Sequence, residues 1–526
     1  MKIVICGGGT AGWLSALFLS KIHPDNEYVL IQSKEIGVIG TGEGSTGVLR
    51  DVLRNVIWNF GINEEDFVKS TGSTPKMGIE FKNWGDHNYI SALDGSRTST
   101  ETPDAFTLYG ILNNFPPENS TRQGLRAKYG KIFSTPNQPL INTDGGAYHF
   151  DGVAVSQFLR SKCDNVEVVE GLIEGVDQDR AKNIRTINCS GITIDNIDLV
   201  IDCLGINSPI SKQINKGWVS YEKHLPVNSA ILFRKPNGDL ENTKPLTIST
   251  ALKCGWLFEI PVADRYGCGY VYCDKYCTEE DARKELEDLG YSVDIGTYRH
   301  MKFNTGRVKN FWKNNVISVG LSSGFIEPLQ ATSIHTTIAH LNLICFSVLS
   351  ASKKNLNKQS SWYNTQAAKY FDDFADFVNL HYQCGREDTD FWKYMTKKSA
   401  TPFVKSIINL CKSRVPDIDD YPTYPLAASS LWNSTLHGLG LISKKVAKEQ
   451  LDFYGRVKNI IGVLENEYDN HQNYFKNHDT AHSMKKFMYD NYIEPEIFEE
   501  DDMLDVLIEQ VKSGNLPDCD SCMPDK

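Results

Sequence analysis

The chemistry legible in this chain begins with three glycines and the entrance to one helix. Gly7, Gly9 and Gly12 follow a short apolar run, IVIC at 3–6, and precede an apolar helical pattern through Leu19. A strand, a glycine turn and a helix in that order bring backbone close to a pyrophosphate, whose charge then meets a helix N-terminus. Thr10 and Ala11 stand inside the turn. A second apolar run, Tyr28 to Ile31, should form the next strand. The residue ending it is where a ribose-binding acid is expected. Gln32 holds that position, followed by Ser33; an amide can still hydrogen-bond a hydroxyl. The second entrance is GFIEPLQATSIH, Gly324 to His335. Pro328 suits a first helical turn, where its missing N–H costs little. A helix start offers N–H groups and a favourable dipole to an anion, although an ordinary capped helix reads the same way. At this mouth stands a neutral amide, Gln330.

The elements that must position these residues read as follows. Residues 166–176, VEVVEGLIEGV, and 192–205, ITIDNIDLVIDCLG, look like further strands. The second closes on Gly205 and resembles the strand that returns to the nucleotide in FAD enzymes, although a buried strand ending in glycine reads the same way; two nucleotide-facing strands so far apart favour FAD over NAD. Short β-like runs fill 225–272, and the pattern from about 340 onward is mainly helical. The tail from Glu499 is acidic. A chain of 526 residues, 40% hydrophobic, has room for a large core. Its net charge of −11, from 55 basic and 66 acidic residues, argues against nucleic acid or an anionic membrane as partner. No apolar run approaches the ~20 residues of a membrane span. The N-terminal apolar stretch is broken by glycines, so it reads as the fingerprint and not as a signal peptide. The thirteen cysteines are scattered and odd in number, which suits reduced thiols and a cytoplasmic setting. Cys519 and Cys522 form a lone CxxC, and His478 and His482 lie four apart with no third ligand, so no metal site is expected.

Several ordered motifs resemble the flavin-dependent halogenases of the tryptophan-halogenase type, over nearly the whole chain to about residue 440. They are GGGTAGW at 7–13, IGTGEG at 39–44, TPKMGIEFKNW around Lys76, His149-Phe150-Asp151, and LVIDCLG. GWLFEIP at 255–261, RYGCGYVY at 265–272, VGLSSGFIEPLQATSIH at 319–335 and LHYQCGREDTDFW at 380–392 follow. The family signature WxWxIP stands here as Trp256, Phe258, Ile260 and Pro261, with phenylalanine for the second tryptophan. The resemblance implies an α/β fold. Its FAD-binding Rossmann-like module would be of the glutathione-reductase/hydroxylase type, with a mixed β-sheet and a mainly helical C-terminal cap on the substrate side. A core at 1–350 would gather its nucleotide-binding segments from 1–50, 147–215 and 300–345. A helical region at 351–526 would cover the substrate side.

The same resemblance implies the reaction. FADH2 from a separate flavin reductase and O2 oxidise a halide (chloride, bromide or iodide) to hypohalous acid, which reaches an aromatic substrate through a lysine. Lys76 matches that lysine. Thr332 and Ser333 would hold the halide by their backbone amides, and Gly42, Glu43, Gly320 and Leu321 would contact the flavin. Tryptophan halogenases carry glutamate where this chain has Gln330, and an amide is a negligible base near neutral pH. Activated rings such as phenols or substituted indoles are therefore the expected substrates. Glu327, in the FxEP segment, is expected to be structural. Two alternatives remain: a flavin aromatic hydroxylase, although those enzymes usually carry a GD segment before the flavin-facing helix where this chain reads Val319-Gly320-Leu321-Ser322-Ser323-Gly324, and a flavin-binding protein whose halogenase activity has lapsed. The sequence leaves the oligomeric state open.

Overall fold

In a computed structural model of the chain, the N-terminal apolar run is the strand Lys2–Cys6 at the heart of a six-stranded sheet. The structure describes all residues except 35–41, 56–57, 95–103, 134–138, 141–145, 215–216, 294–295, 297, 351–357, 423–426, 458–459, 478–482 and 492–526. The first part of the IGTGEG segment, the His478/His482 pair, Cys519, Cys522 and the acidic tail lie outside the described residues. Strands Glu27–Gln32 and Leu199–Asp202 flank the central strand in parallel. Glu167–Glu170 lies outside the former, and Val316–Ser318 and then Trp312–Lys313 outside the latter.

Four consecutive buried residues in each of the two N-terminal strands show that both sheet faces are covered, the normal condition of parallel strands. Ile3, Ile5 and Leu30 pack with Leu14, Leu17 and Phe18 of the helix Thr10–Ile22. Val4, Cys6, Val29 and Ile31 pack instead with Ile184, Ile187 and Ile194. Those belong to a small antiparallel sheet, Ile173–Gln178, Ile184–Cys189 and Ile192–Ile194. The run at 166–176 therefore divides at Gly171, one half joining each sheet, and a Cβ there would meet Ser190 at 2.7 Å. The run at 192–205 divides in the same way, into Ile192–Ile194 and Leu199–Asp202.

The 225–272 runs are longer than their sequence pattern promised. They form most of a seven-stranded sheet: Arg299–Lys302, Ser229–Pro236, Arg265–Tyr272, Gly255–Pro261, Leu246–Leu252, Gly78–Lys82 and Tyr89–Ala92, in that spatial order. Only the pairing of Leu246–Leu252 with Gly78–Lys82 is parallel, so the sheet is mixed. A three-stranded sheet, Glu43–Gly44, Ala147–Phe150 and Thr74–Lys76, carries the lysine.

The helix entrance differs from its sequence reading. Pro328–Gln330 is a separate 3-10 turn, and Ala331 takes a left-handed φ of 53°. The helix itself spans Thr332–Leu343. Pro328 thus opens the short turn and not the helix. The 22-residue helix Ser360–His381 packs beside Thr332–Leu343 and delivers His381 and Tyr382 at its C-terminal end. No helix among the described residues is long and apolar enough to cross a membrane.

Candidate functional site

The glycine turn is built as its spacing predicts. Gly7 has a φ of 116° and donates its N–H to Ile31 O at 2.8 Å. A Cβ on Gly7 would stand 2.4 Å from Cys203 O, and one on Gly12 would stand 1.8 Å from Gly7 O. Those two positions admit only glycine because backbone fills the space. Gly9 differs, because a Cβ there meets nothing within 4 Å. Open space at the uncapped N-terminus of Thr10–Ile22, with no acid in its first turn, is what a pyrophosphate requires. Gly205, with a φ of 84°, also faces open space just past the strand Leu199–Asp202. Thr10 Oγ1 lies 3.4 Å from Ser156 Oγ. A Cβ on Gly320 would come within 2.6 Å of Ala11 Cβ, so the 320 segment rests on the turn. These residues therefore fit the dinucleotide that the fingerprint implies. Gln32 stands beside Gly8, and Ser33 follows it, half-buried.

Beside the turn, a small cavity is lined by Gly320, Leu321, Ser323, Gly324, Thr332 and Ser333. The chain folds this way because Gly320 (φ 69°) and Gly324 (φ 159°) carry it past the turn and against Gly306. The helix Thr332–Leu343 opens onto this cavity with no side-chain cap and no acid in its first turn. Its N-terminal end thus has the polarity to favour an anion. Thr46 Oγ1 and His335 Nδ1, 3.2 Å apart, tie the segment after Gly44 to the same helix.

Lys76 is not a solvated loop residue. It ends the strand Thr74–Lys76, is 1% exposed, and its Nζ donates to Ser45 O at 3.1 Å. Burial without a carboxylate partner pulls its ammonium down to about 7. A Cβ on Gly44 would stand 3.0 Å from Nζ, so the strand Glu43–Gly44 lies directly on the amine. Gly42 (φ 114°) in turn packs on Gly267. Glu43 has its carboxyl raised to about 7 by removal from water, with the Asp151 charge adding to the effect. His149 pairs with Gly44 in this sheet and hydrogen-bonds Thr247 at 2.8 Å. Desolvation, with Lys76 nearby, holds it well below the usual histidine range.

Gln330 sits in a different setting. Its Nε2 lies 2.8 Å from His381 Nε2, and His381 Nδ1 lies 2.9 Å from Phe377 O. A carbonyl only accepts, so Nδ1 carries the ring proton and Nε2 accepts from the amide. Burial holds His381 down to about 4, hence neutral. The ring packs 4.9 Å from Phe81 on the strand Gly78–Lys82, which follows Lys76. No hydrogen bond among the described residues joins Lys76 to Gln330.

Glu327 joins elements that the sequence left separate. Its Oε1 accepts from Trp256 Nε1 at 3.1 Å and from Tyr382 OH at 2.5 Å. Its Oε2 is buried with no hydrogen-bond partner among the described residues, and desolvation raises the carboxyl to about 8. The carboxyl therefore ties the signature tryptophan to the C-terminal helix. Phe258 lies 6.0 Å from Trp256, its ring filling the space over Gly269 where a Cβ would clash at 2.3 Å. Motif spacing had pointed to neither His381 nor Tyr382 individually. Their only signal was the LHYQ segment at the end of an aromatic-rich helical pattern.

Comparison with known proteins follows this geometry. The tryptophan halogenase family model matches residues 2–452. The chain is 28% identical over 486 residues to tryptophan 7-halogenase RebH of Lentzea aerocolonigenes, covering 84% of this chain and 90% of that one. It is likewise 28% identical over 479 residues to tryptophan 6-halogenase SttH of Streptomyces toxytricini, with 84% and 90% covered. The crystal structure of SttH superposes with a TM-score of 0.82 at 24% identity, over 93% of this chain and 99% of that one. A tryptophan halogenase structure from Shewanella frigidimarina gives 0.82 at 21% identity, over 94% and 98%. The chain belongs to the tryptophan halogenase family, whose members are flavin-dependent halogenating oxidoreductases.

Proposed function

We propose that this protein uses FADH2, O2 and a halide to make hypohalous acid, and delivers it through Lys76 to an electron-rich aromatic ring of the indole or phenol type. The relatives named as tryptophan halogenases favour an indole. When bound, FADH2 supplies the two electrons: FADH2, O2, halide and one proton become FAD, water and hypohalous acid. This chain's residues do the rest. Gly7, Gly9, Gly12 and Gly205 admit the nucleotide; Gly42, Glu43, Gly320 and Leu321 border the flavin; Thr332 and Ser333 present the helix start to the halide.

The single observation carrying the reading is Lys76, a buried amine with no counter-charge among the described residues, poised near 7. At neutral pH such an amine is available both as an N–H donor to hypohalous acid and as a nucleophile that accepts the halogen. Gln330 cannot take the ring proton, because its amide is not a base and its N–H is committed to His381. The substrate must then be activated enough to release that proton to water, which favours phenols and substituted indoles with easily oxidised halides.

The test is an incubation of the protein with FAD, a generic flavin reductase, NADH and O2. Phenols and indoles are supplied separately in chloride, bromide and iodide, and product masses are read beside Lys76→Ala. Halogenated product that vanishes in the variant supports the reading. A hydroxylated product, or no halogenation across the panel, overturns it.

A further inference from the structure

The strand Glu27–Gln32 ends in an amide where dinucleotide folds place an acid for the ribose, and the neighbouring strand supplies one. Gln32 and Glu170 are register partners on parallel strands, so their side chains leave the sheet on the same face. Gln32 Nε2 donates to Glu170 Oε1 at 2.6 Å. A carboxylate can only accept, so the amide nitrogen must face Glu170 and Gln32 Oε1 must face away from it. That oxygen lies over the glycine turn, 2.4 Å from where a Cβ on Gly8 would stand. The amide carbonyl is thus aimed at the turn, held there by the carboxylate.

Glu170 is itself anchored. Arg160 Nη1 lies 3.7 Å from the same Oε1, and the Arg160 guanidinium stands 5.7 Å from the Trp13 ring. Glu170 Oε2 has no hydrogen-bond partner among the described residues, although the side chain is fixed by two neighbours. The carboxyl ends of the strands therefore present one charged and one neutral acceptor on one face.

We propose that Glu170 is the ribose-binding acid of this protein. It acts with Gln32 Oε1 as a two-acceptor subsite for the vicinal diol of the adenosine half of FAD. A diol brings two O–H donors, and an amide alone would leave it a single neutral acceptor. Adding the carboxylate from the adjacent strand restores a charge-assisted bond, the stronger kind. The inference rests on the FAD reading above and adds to it a residue outside the fingerprint.

The experiment measures binding of oxidised FAD to the full-length protein by fluorescence, with ADP and 2′,3′-dideoxy-ADP as competitors. Wild type, Glu170→Ala and Glu170→Gln are compared, with urea unfolding to show that each variant is folded. Glu170→Gln keeps the side chain's shape and serves if the alanine variant is unstable. The expected result is FAD binding weakened about tenfold in Glu170→Ala, a change equal to about 1.4 kcal/mol. Wild type should prefer ADP to the dideoxy competitor, and both variants should lose most of that preference. FAD affinity unchanged in folded variants, or an ADP preference as large in the variants as in wild type, overturns the inference. Wild-type protein that binds no FAD would instead overturn the functional reading, and the inference with it.

Discussion

Lys76→Met replaces a buried amine by an uncharged side chain of similar length, and its effect on stability can be worked from the site. Lys76 is 1% exposed with a single carbonyl as hydrogen-bond partner among the described residues, and its ammonium is pulled down to about 7 from an ordinary 10.5. A folded value below the unfolded one means that the unfolded chain binds a proton the folded chain refuses between those two pH values. Stability therefore rises with pH across that window. Below pH 7 wild type carries the full cost of burying the charge, roughly 5 kcal/mol from the difference between the two values. By pH 9 that cost has fallen by about 2 kcal/mol. Lys76→Met should accordingly be more stable than wild type at pH 6–7, by several kcal/mol, and its advantage should shrink by about 2 kcal/mol at pH 9. Comparing the two proteins cancels the titrations that Lys76 does not influence; among the described residues, only that of its neighbour His149, already held well below the usual histidine range, stays coupled to it. The assay is urea unfolding followed by tryptophan fluorescence at pH 6, 7, 8 and 9. Parallel stability profiles, or an advantage that grows with pH, would refute the argument that Lys76 is held uncharged by burial.

Three further outcomes follow from the same geometry. Gln330→Glu should place a carboxylate against the lone pair of His381 and draw a proton onto that ring, raising it from about 4. Ring NMR shifts that still show a neutral His381 at pH 6 would refute that proton transfer. Glu327 has its carboxyl raised to about 8, so its favourable contribution is full below the unfolded value of 4.5 and is lost as pH rises towards 8. Glu327→Gln keeps an acceptor for Trp256 and Tyr382, and its stability advantage should open by about 3 kcal/mol between pH 5 and pH 8 in urea titrations; a constant difference would count against it. Asp151 caps the helix Gly152–Arg160 through Val153 N and Ala154 N and pairs with Arg265 at 2.8 Å. Asp151→Ala should cost about 2 kcal/mol, a lost cap plus a weakened, partly buried pair, and a loss under about 0.5 kcal/mol would refute a stabilising role for both contacts.

Sequence by itself determined the parts whose chemistry is local. Gly7 and Gly12 could be read as obligatory because a tight turn has room for nothing larger, and the clash distances agree. The order of motifs from GGGTAGW to LHYQCGREDTDFW identified the family, since each is a short run with its own backbone demand. The central strands were legible from four apolar residues in a row, IVIC and YVLI. Elements that share two sheets were not: the runs at 166–176 and 192–205 divide because each half pairs with a different partner, and pairing is a long-range choice. The helix start was misplaced for a similar reason. Ala331 is left-handed where the chain passes from the 3-10 turn Pro328–Gln330 into the helix Thr332–Leu343, a break that its residue type does not announce.

Tertiary structure alone decided the protonation chemistry. Nothing local distinguishes Lys76 from an exposed lysine; the strand Glu43–Gly44 laid over it helps to remove the water that would keep it charged. Gln330 and His381 are 51 positions apart, and Gln32 and Glu170 are 138. Each amide looks in sequence like the mere absence of an acid. Folding gives each a partner that fixes which of its two ends remains free. An amide's chemistry depends on that orientation, and only the neighbour across the fold can set it.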